Sequence, residues 1–443
     1  MKGNLKLVVI GGGSSYTPEL IEGVIQHHGQ LPIGEIWLVD IEAGAAKLQI
    51  ITELSKRMVE KSKLLIEIHA TTDRRKAIAG ADFVCTQIRV GMLEARKWDE
   101  QIPLKYEVIG QETTGPGGLM NGLRTIPVIL DICRDMEELA PDAWLLNFTN
   151  PAGMVTEAVL KHSNVKSVGL CNSPIGFQKW LAEFFELPSE RIYSEFVGIN
   201  HLHWVSDVFV DGVSRIQQLI DYPQTYHASN VPYQDWSHRF LSSLKAIPSY
   251  YLSYYYRTDE LLQEQREAGR TSGSRAEVVQ RLENELFELY RDPELAEKPK
   301  QLEQRGGAYY SEAAVLLMKS LHNDTRDIQT LNVRNGRIID FLPEDASIEV
   351  NCVVTKQGPI PLPLSKIPES IKGVLAAVKQ CESLTIEAAV HGDHGLALQA
   401  MVHHPLVPSV HIAEQLLDEM MQCNQAYLPL FHSSNPGKGV KGG

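Results

Sequence analysis

In the stretch "VGLCNSPIG" a cysteine, Cys171, stands directly after an apolar strand, and in "VGINHLHW" a histidine, His201, holds a comparable place. A thiolate and an imidazole together suit a borderline divalent metal, with water or substrate oxygens completing the shell. Each alone reads as readily as a small core residue or a satisfied structural histidine. Further on, "IPSYYLSYYYR" (Ile247–Arg257) crowds Tyr250, Tyr251, Tyr254, Tyr255 and Tyr256 together. An aromatic face packed between domains accounts for most of them. A tyrosine held beside a metal and a cationic cofactor could nevertheless have its pKa lowered enough to act as a base. "HGDHG" (His391–Gly395), with His403 and His404 downstream, looks to the eye more like a ligand cluster. Gly, Asp and His at a loop-to-helix junction serve equally well as caps, and capping is the expectation here.

The stretch "KLVVIGGGSSYTPEL" (Lys6–Leu20) reads as a buried strand, a glycine loop and a helix start. Gly11, Gly12 and Gly13 allow a tight turn and a close approach to a pyrophosphate, with Ser14, Ser15 and Tyr16 completing the loop before the helix amides. Thr17 is expected as the N-cap and Pro18 as the first helical residue. "IWLVDI" then ends a second strand in Asp40, placed to accept hydrogen bonds from ribose hydroxyls and to repel a 2′-phosphate. The loop departs from G-x-G-x-x-G at its third glycine, where Tyr16 stands. A structural turn serving some other phosphate is the bland alternative.

These residues need a frame to position them. A chain of 443 residues calls for two or three domains. Apolar runs at Leu7–Ile10, Ile36–Val39, Ala81–Val90, Trp144–Phe148 and Val168–Leu170 alternate with helical stretches, the mark of a doubly wound parallel sheet. From about residue 195 the period turns to two around Asp211-Gly212 and Asn335-Gly336, which signals hairpins. The expected fold is α/β: a Rossmann-like domain over residues 1–195, an α+β domain over 196–434, and a disordered tail over 435–443. No apolar run reaches the ~20 residues that cross a bilayer. A formal net charge of −13 argues against binding nucleic acid or an anionic membrane. Cys85, Cys133, Cys171, Cys352, Cys381 and Cys423 show no paired spacing, consistent with a reducing, cytoplasmic setting.

The ordered set "GGGSSYTPEL", "IRVGMLEARKWDEQIPLKYEVIGQETTGPGG", "NFTNPAG", "LCNSP", "GINH" and "IPSYYLSYY" resembles glycoside hydrolase family 4, the NAD- and metal-dependent glycosidases, over nearly the whole chain. Asn172, after the cysteine, resembles the members acting on 6-phospho-β-glucosides, whereas an Asp there goes with α-linked substrates. The resemblance implies a second domain like the C-terminal domain of lactate and malate dehydrogenases. It also implies a hydrolysis that borrows a dehydrogenase step, outside the usual two-carboxylate scheme. NAD would take hydride from C3, a base would remove the acidified C2 proton, and the aglycone would be eliminated from C1. Water would then add and the hydride would return.

By motif position the resemblance makes Cys171 and His201 ligands of a divalent metal, Mn²⁺ by family preference, and Tyr251 the base, ahead of Tyr254 and Tyr255. Asn172 cannot ionise and would hold substrate hydroxyls or metal-bound water; Asn150 would bind ring hydroxyls. Arg96 and Arg275 would fork the 6-phosphate. Glu112 is given no role. Substrates would be phosphorylated disaccharides or aryl 6-phospho-β-glucosides, and assembly a homodimer or homotetramer. A plain NAD-dependent hydroxy-acid or sugar dehydrogenase, accumulating NADH, is the rival reading, and a nucleotide sensor that has lost its chemistry is a second.

Overall fold

The structure is a computed structural model that describes residues 4–222, 235–305 and 309–433. The tail 435–443 lies outside the described residues. Six parallel strands come first: β1 (Leu5–Ile10), β2 (Ile33–Val39), β3 (Glu67–Thr71), β4 (Phe83–Thr86), β5 (Trp144–Asn147) and β6 (Lys166–Gly169). They lie side by side in the order β6-β5-β4-β1-β2-β3, with helices in the crossovers. The double winding is legible in β1 itself. Leu5, Leu7 and Val9 enter one hydrophobic core while Val8 and Ile10 enter the other, so both faces of the sheet are covered.

The strand at 81–90 is shorter than its apolar run suggests. β4 leaves the sheet after Thr86, and Gln87 turns back to donate from Nε2 to Gly11 O (3.1 Å) and Thr17 Oγ1 (2.8 Å). Thr17 is not the N-cap. The helix Thr17–His27 begins at Thr17, with Tyr16 in the cap position, and the Thr17 hydroxyl donates to Gly12 O at 2.9 Å. That hydroxyl is used to tie the helix start to the glycine loop.

The period-two segments fold in two places. β7 (Ile192–Ile199) and β8 (Leu202–Val210) pair antiparallel across Asn200 and His201, β9 (Val213–Ser214) returns across Asp211-Gly212, and β10 (Ile247–Pro248) adds to β8. β11 (Ile328–Arg334), β12 (Ser347–Thr355) and β13 (Gly358–Pro361) instead extend the main sheet antiparallel beyond β6, giving nine strands among the described residues. Asn335-Gly336 opens a long loop here and does not close a two-residue hairpin. The reason is the Asn335 side chain, which donates to the carbonyls of Ile339, Leu342 and Pro343 and accepts from Ile339 N–H, so it organises the whole excursion before β12. Asn351 in β12 bridges the sheets, accepting from Phe196 N–H (2.9 Å) and donating to Ser194 O (3.0 Å).

Candidate active site

The carboxyl ends of β1, β4, β5 and β6 open on one edge of the sheet, and that edge delivers four loops: Gly11–Tyr16, Gln87–Gly91, Phe148–Pro151 and Leu170–Asn172. Ligands of open α/β sheets bind at this edge because the loops and helix N-termini converge there.

The glycine loop is built as its composition requires. Gly11 has φ +89°, a conformation L side chains rarely adopt. A Cβ on Gly12 would lie 2.8 Å from Leu38 Cα, so glycine lets the loop sit on β2. Gly13 N–H donates to Asp40 Oδ2 at 2.9 Å, and Ile41 N–H to Oδ1 at 2.9 Å. Burial pushes the Asp40 carboxyl above its ordinary pKa while these two N–H groups pull it back. Ser15 is buried, and its carbonyl accepts from the Tyr290 hydroxyl at 2.9 Å, which anchors the far side of the loop.

Cys171, His201 and Tyr251 come together although distant in sequence. His201 sits in the β7–β8 turn at φ +62°, and its ring stacks on that of Tyr251 with centroids 3.7 Å apart and planes 10° from parallel. Cys171 follows β6, and its sulfur is held by the N–H groups of Asn172 and Ser173 and by the Asn200 side chain. All three residues are buried. Burial, with Glu349 nearby, pushes the Cys171 thiol up; burial pushes the His201 imidazole down to about 4 and Tyr251 well above the usual phenol range. Cys171 raises Tyr251 further and Arg96 opposes the shift. Asn172 occupies the N-cap position of the helix Ser173–Phe185. Asn150 accepts from Ala152 N–H at 3.3 Å across a cis Asn150–Pro151 bond. Its turn packs on the same hairpin, since a Cβ on Gly153 would lie 2.9 Å from Asn200 Cβ.

Arg96 is buried and engaged. Its Nε donates to Glu100 at 2.7 Å and a terminal nitrogen lies 3.0 Å from Glu112, whose second oxygen contacts Arg89. Glu100 also accepts from Ala276 N–H at 2.7 Å, which brings Arg275 to the cluster. Tyr254 lies within the fields of Glu100, Arg96 and Arg275. Glu112, left without a role by the sequence, therefore joins two arginines at the edge of the site.

Sequence reasoning missed Thr113, Asn200, His203 and Glu349. Thr113 Oγ1 is 2.9 Å from His201 Nδ1. Glu349, inside β12, accepts from Asn200 (3.1 Å) and Asn332 (2.9 Å) and lies 2.6 Å from His203 Nδ1. Burial alone would raise the Glu349 pKa, yet His203, Asn200 and His201 hold it below the usual range. The stretch "SIEVNCVV" gave no signal for Glu349: Ser347, Glu349 and Asn351 alternate with Ile348, Val350 and Cys352, as in a strand with one solvent face, whereas the structure buries both faces.

"HGDHG" is a helix junction. Gly392 ends the helix Glu369–His391 in a left-handed conformation, Asp393 caps the helix His394–His403 by accepting from Leu396 N–H, and His394 Nε2 lies 3.0 Å from Phe431 O. Among the described residues no group of three or more His, Cys, Asp or Glu side chains is arranged to hold a metal ion. The Cys171–His201 pair is the remaining fit. It offers one soft and one intermediate donor, both buried and each beside Tyr251, which suits a borderline divalent cation.

Comparison with known proteins places the chain in a family. A model of the family 4 glycosyl hydrolases matches residues 6–187, and a model of the family 4 glycosyl hydrolase C-terminal domain matches residues 196–407. The chain belongs to glycosyl hydrolase family 4. Its family 4 relatives include a Bacillus subtilis protein described as a probable 6-phospho-β-glucosidase, 54% identical over 97% of this chain and 99% of that protein. They also include an Escherichia coli 6-phospho-β-glucosidase, 43% identical over 97% and 98%. A Thermotoga maritima 6-phospho-β-glucosidase structure with manganese, NAD⁺ and glucose 6-phosphate superposes with a TM-score of 0.88 at 35% identity, covering 96% of this chain and 99% of that one. Beyond family 4, malate dehydrogenase from Plasmodium falciparum shares the fold, with a TM-score of 0.52 at 14% identity, covering 87% of this chain and 100% of that one. The α/β reading, with its dehydrogenase-like second part, holds.

Proposed function

We propose that this family 4 chain hydrolyses 6-phospho-β-glucosides, such as cellobiose 6-phosphate or aryl 6-phospho-β-glucosides, using NAD⁺ and a divalent metal, Mn²⁺ in this reading. The observation that carries the reading is the meeting of Cys171, His201 and Tyr251 at the carboxyl edge of a dinucleotide-type sheet, beside an arginine cluster. The named relatives support the phosphorylated β-glucoside and the two cofactors.

The loop Gly11–Tyr16 and the N-terminus of the helix Thr17–His27 would hold the pyrophosphate, and Asp40 would accept the ribose hydroxyls. Cys171 and His201 would hold the metal, with substrate and water oxygens filling the remaining positions. When bound, the two cofactors supply transient oxidation at C3 and polarisation of the resulting ketone, which makes the C2 proton acidic. Tyr251 accepts that proton through its phenolic oxygen. Its burial disfavours the phenolate in the metal-free protein, so this role rests on the positive charge that Arg96 begins and the cofactors complete. Asn172 cannot titrate and positions substrate hydroxyls, leaving solvent to protonate the aglycone. Asn150 binds ring hydroxyls. Arg96 and Arg275 receive the 6-phosphate, and the phosphate then competes with Glu112 for Arg96. No helix among the described residues is long and apolar enough to cross a membrane. A cytoplasmic location and a homodimer or homotetramer belong to the same proposal, the latter checked by light scattering.

The test is release of p-nitrophenol from p-nitrophenyl 6-phospho-β-glucoside, with NAD⁺, Mn²⁺ and reductant each present or withheld. The α-anomer and the unphosphorylated sugar serve as controls. Release from the phosphorylated β-substrate alone, dependent on both cofactors and without net NADH, is expected. Net NADH without p-nitrophenol would replace the proposal with a simple dehydrogenase.

A further inference from the structure

The turn before the helix Gly115–Leu139 holds a chain of hydrogen bonds whose direction is fixed from one end. Thr113 N–H, an unconditional donor, points at the Gln111 side chain, so the facing amide atom is the acceptor Oε1. The Thr113 hydroxyl lies 2.8 Å from the same Oε1, and a carbonyl oxygen only accepts, so the hydroxyl spends its single hydrogen there. Its contact with His201 Nδ1, at 2.9 Å, is then one in which Nδ1–H donates to Thr113 Oγ1. A neutral imidazole carries one proton, so Nε2 is left with the free lone pair.

The turn is held firmly enough to impose this. Asn121 Nδ2 donates to Glu112 O at 3.1 Å. Cβ atoms on Gly117 and Gly118 would lie 2.3 Å from Gln111 O and 2.5 Å from Thr113 C, so only glycines allow the helix to pack this closely under the turn. The Tyr251 ring, stacked on His201, fixes the imidazole plane.

We propose that Thr113 is a positioning residue that fixes His201 as its Nδ1–H tautomer and so presents Nε2 to the divalent cation. The inference rests on the metal reading given above. Partners of this kind on a ligating histidine are worth about 10- to 100-fold in metal affinity.

The experiment has two arms. In metal-free protein with ¹⁵N-labelled histidine, magic-angle-spinning NMR, with the His201 signal assigned by its loss in H201N, should show Nδ1 protonated and Nε2 bare. The opposite tautomer overturns the proposal, and this arm is decided whether or not metal binds. In the second arm, calorimetric titration with Mn²⁺ should give T113V a dissociation constant about 10- to 100-fold above wild type. T113S, which keeps the hydroxyl, should restore most of it, and both variants should retain wild-type NAD⁺ binding as the check of folding. T113V binding within twofold of wild type overturns the proposal. A wild-type protein that binds no Mn²⁺ overturns the metal reading instead, and the NMR arm still judges Thr113.

Discussion

His404 lies beneath the tyrosine run and, with His201, should contribute to the acid limit of this site. It is buried, its Nδ1 accepts from Leu406 N–H at 3.2 Å, and Leu406 packs with Tyr250, Tyr251 and Tyr254. A protonated Nδ1 would become a donor facing a donor. Burial holds the His404 pKa down at about 4, against 6.5 for an ordinary histidine. The unfolded chain therefore takes up its proton first as pH falls, so the stability contribution is complete above 6.5, declines below it and is lost by about 4. At 1.36 kcal/mol per unit the full effect is about 3 kcal/mol, of which about 2 kcal/mol has gone by pH 5. The perturbation is H404N, because an asparagine oxygen can accept from an N–H two residues on without titrating. The assay is urea unfolding of metal-free wild type and H404N at pH 7.5 and pH 5, in which carboxylates common to both cancel. Wild type should lose about 2 kcal/mol more than H404N over this interval. Equal losses within ~0.5 kcal/mol, a resolution comparable to the additivity of distant sites, would refute the argument that His404 is held neutral by burial.

Three further outcomes are expected. C171S should abolish calorimetric Mn²⁺ binding and glycosidase activity while leaving NAD⁺ binding intact, because a serine hydroxyl, which does not ionise near neutral pH, replaces the anionic thiolate ligand; wild-type Mn²⁺ affinity in C171S would remove Cys171 from the metal site. Y251F should lower kcat about 10²- to 10⁴-fold and stop exchange of substrate C2 hydrogen with deuterated solvent, followed by NMR, as loss of a general base predicts. K379M should cost about 3–5 kcal/mol in urea unfolding at pH 7, since it strands the buried carboxylate of Glu382 and removes one of the two lysines bonded to Glu157, which keeps Lys161. Adding E382Q to K379M should recover part of that loss.

The sequence alone determined what local rules can specify. The apolar period of β1, the glycines after it and the aspartate that follows β2 announce a dinucleotide-type unit because each constrains the backbone within a few residues of itself. The ordered motifs around Cys171, His201 and Tyr251 carried the family. Where a side chain looks beyond its neighbours, local reading failed. Thr17 has the composition of a cap, but its hydroxyl goes to Gly12 O; Asn335-Gly336 has the composition of a tight turn, but its amide gathers a long loop. Only the tertiary structure decided that β11 to β13 extend the first sheet, that Glu349 of β12 stands behind His203, and that Thr113 reaches His201. Those pairings join residues far apart in the chain, and their energy comes from burying polar groups where the partner must be supplied by another element. No period or spacing within one stretch encodes which element that will be.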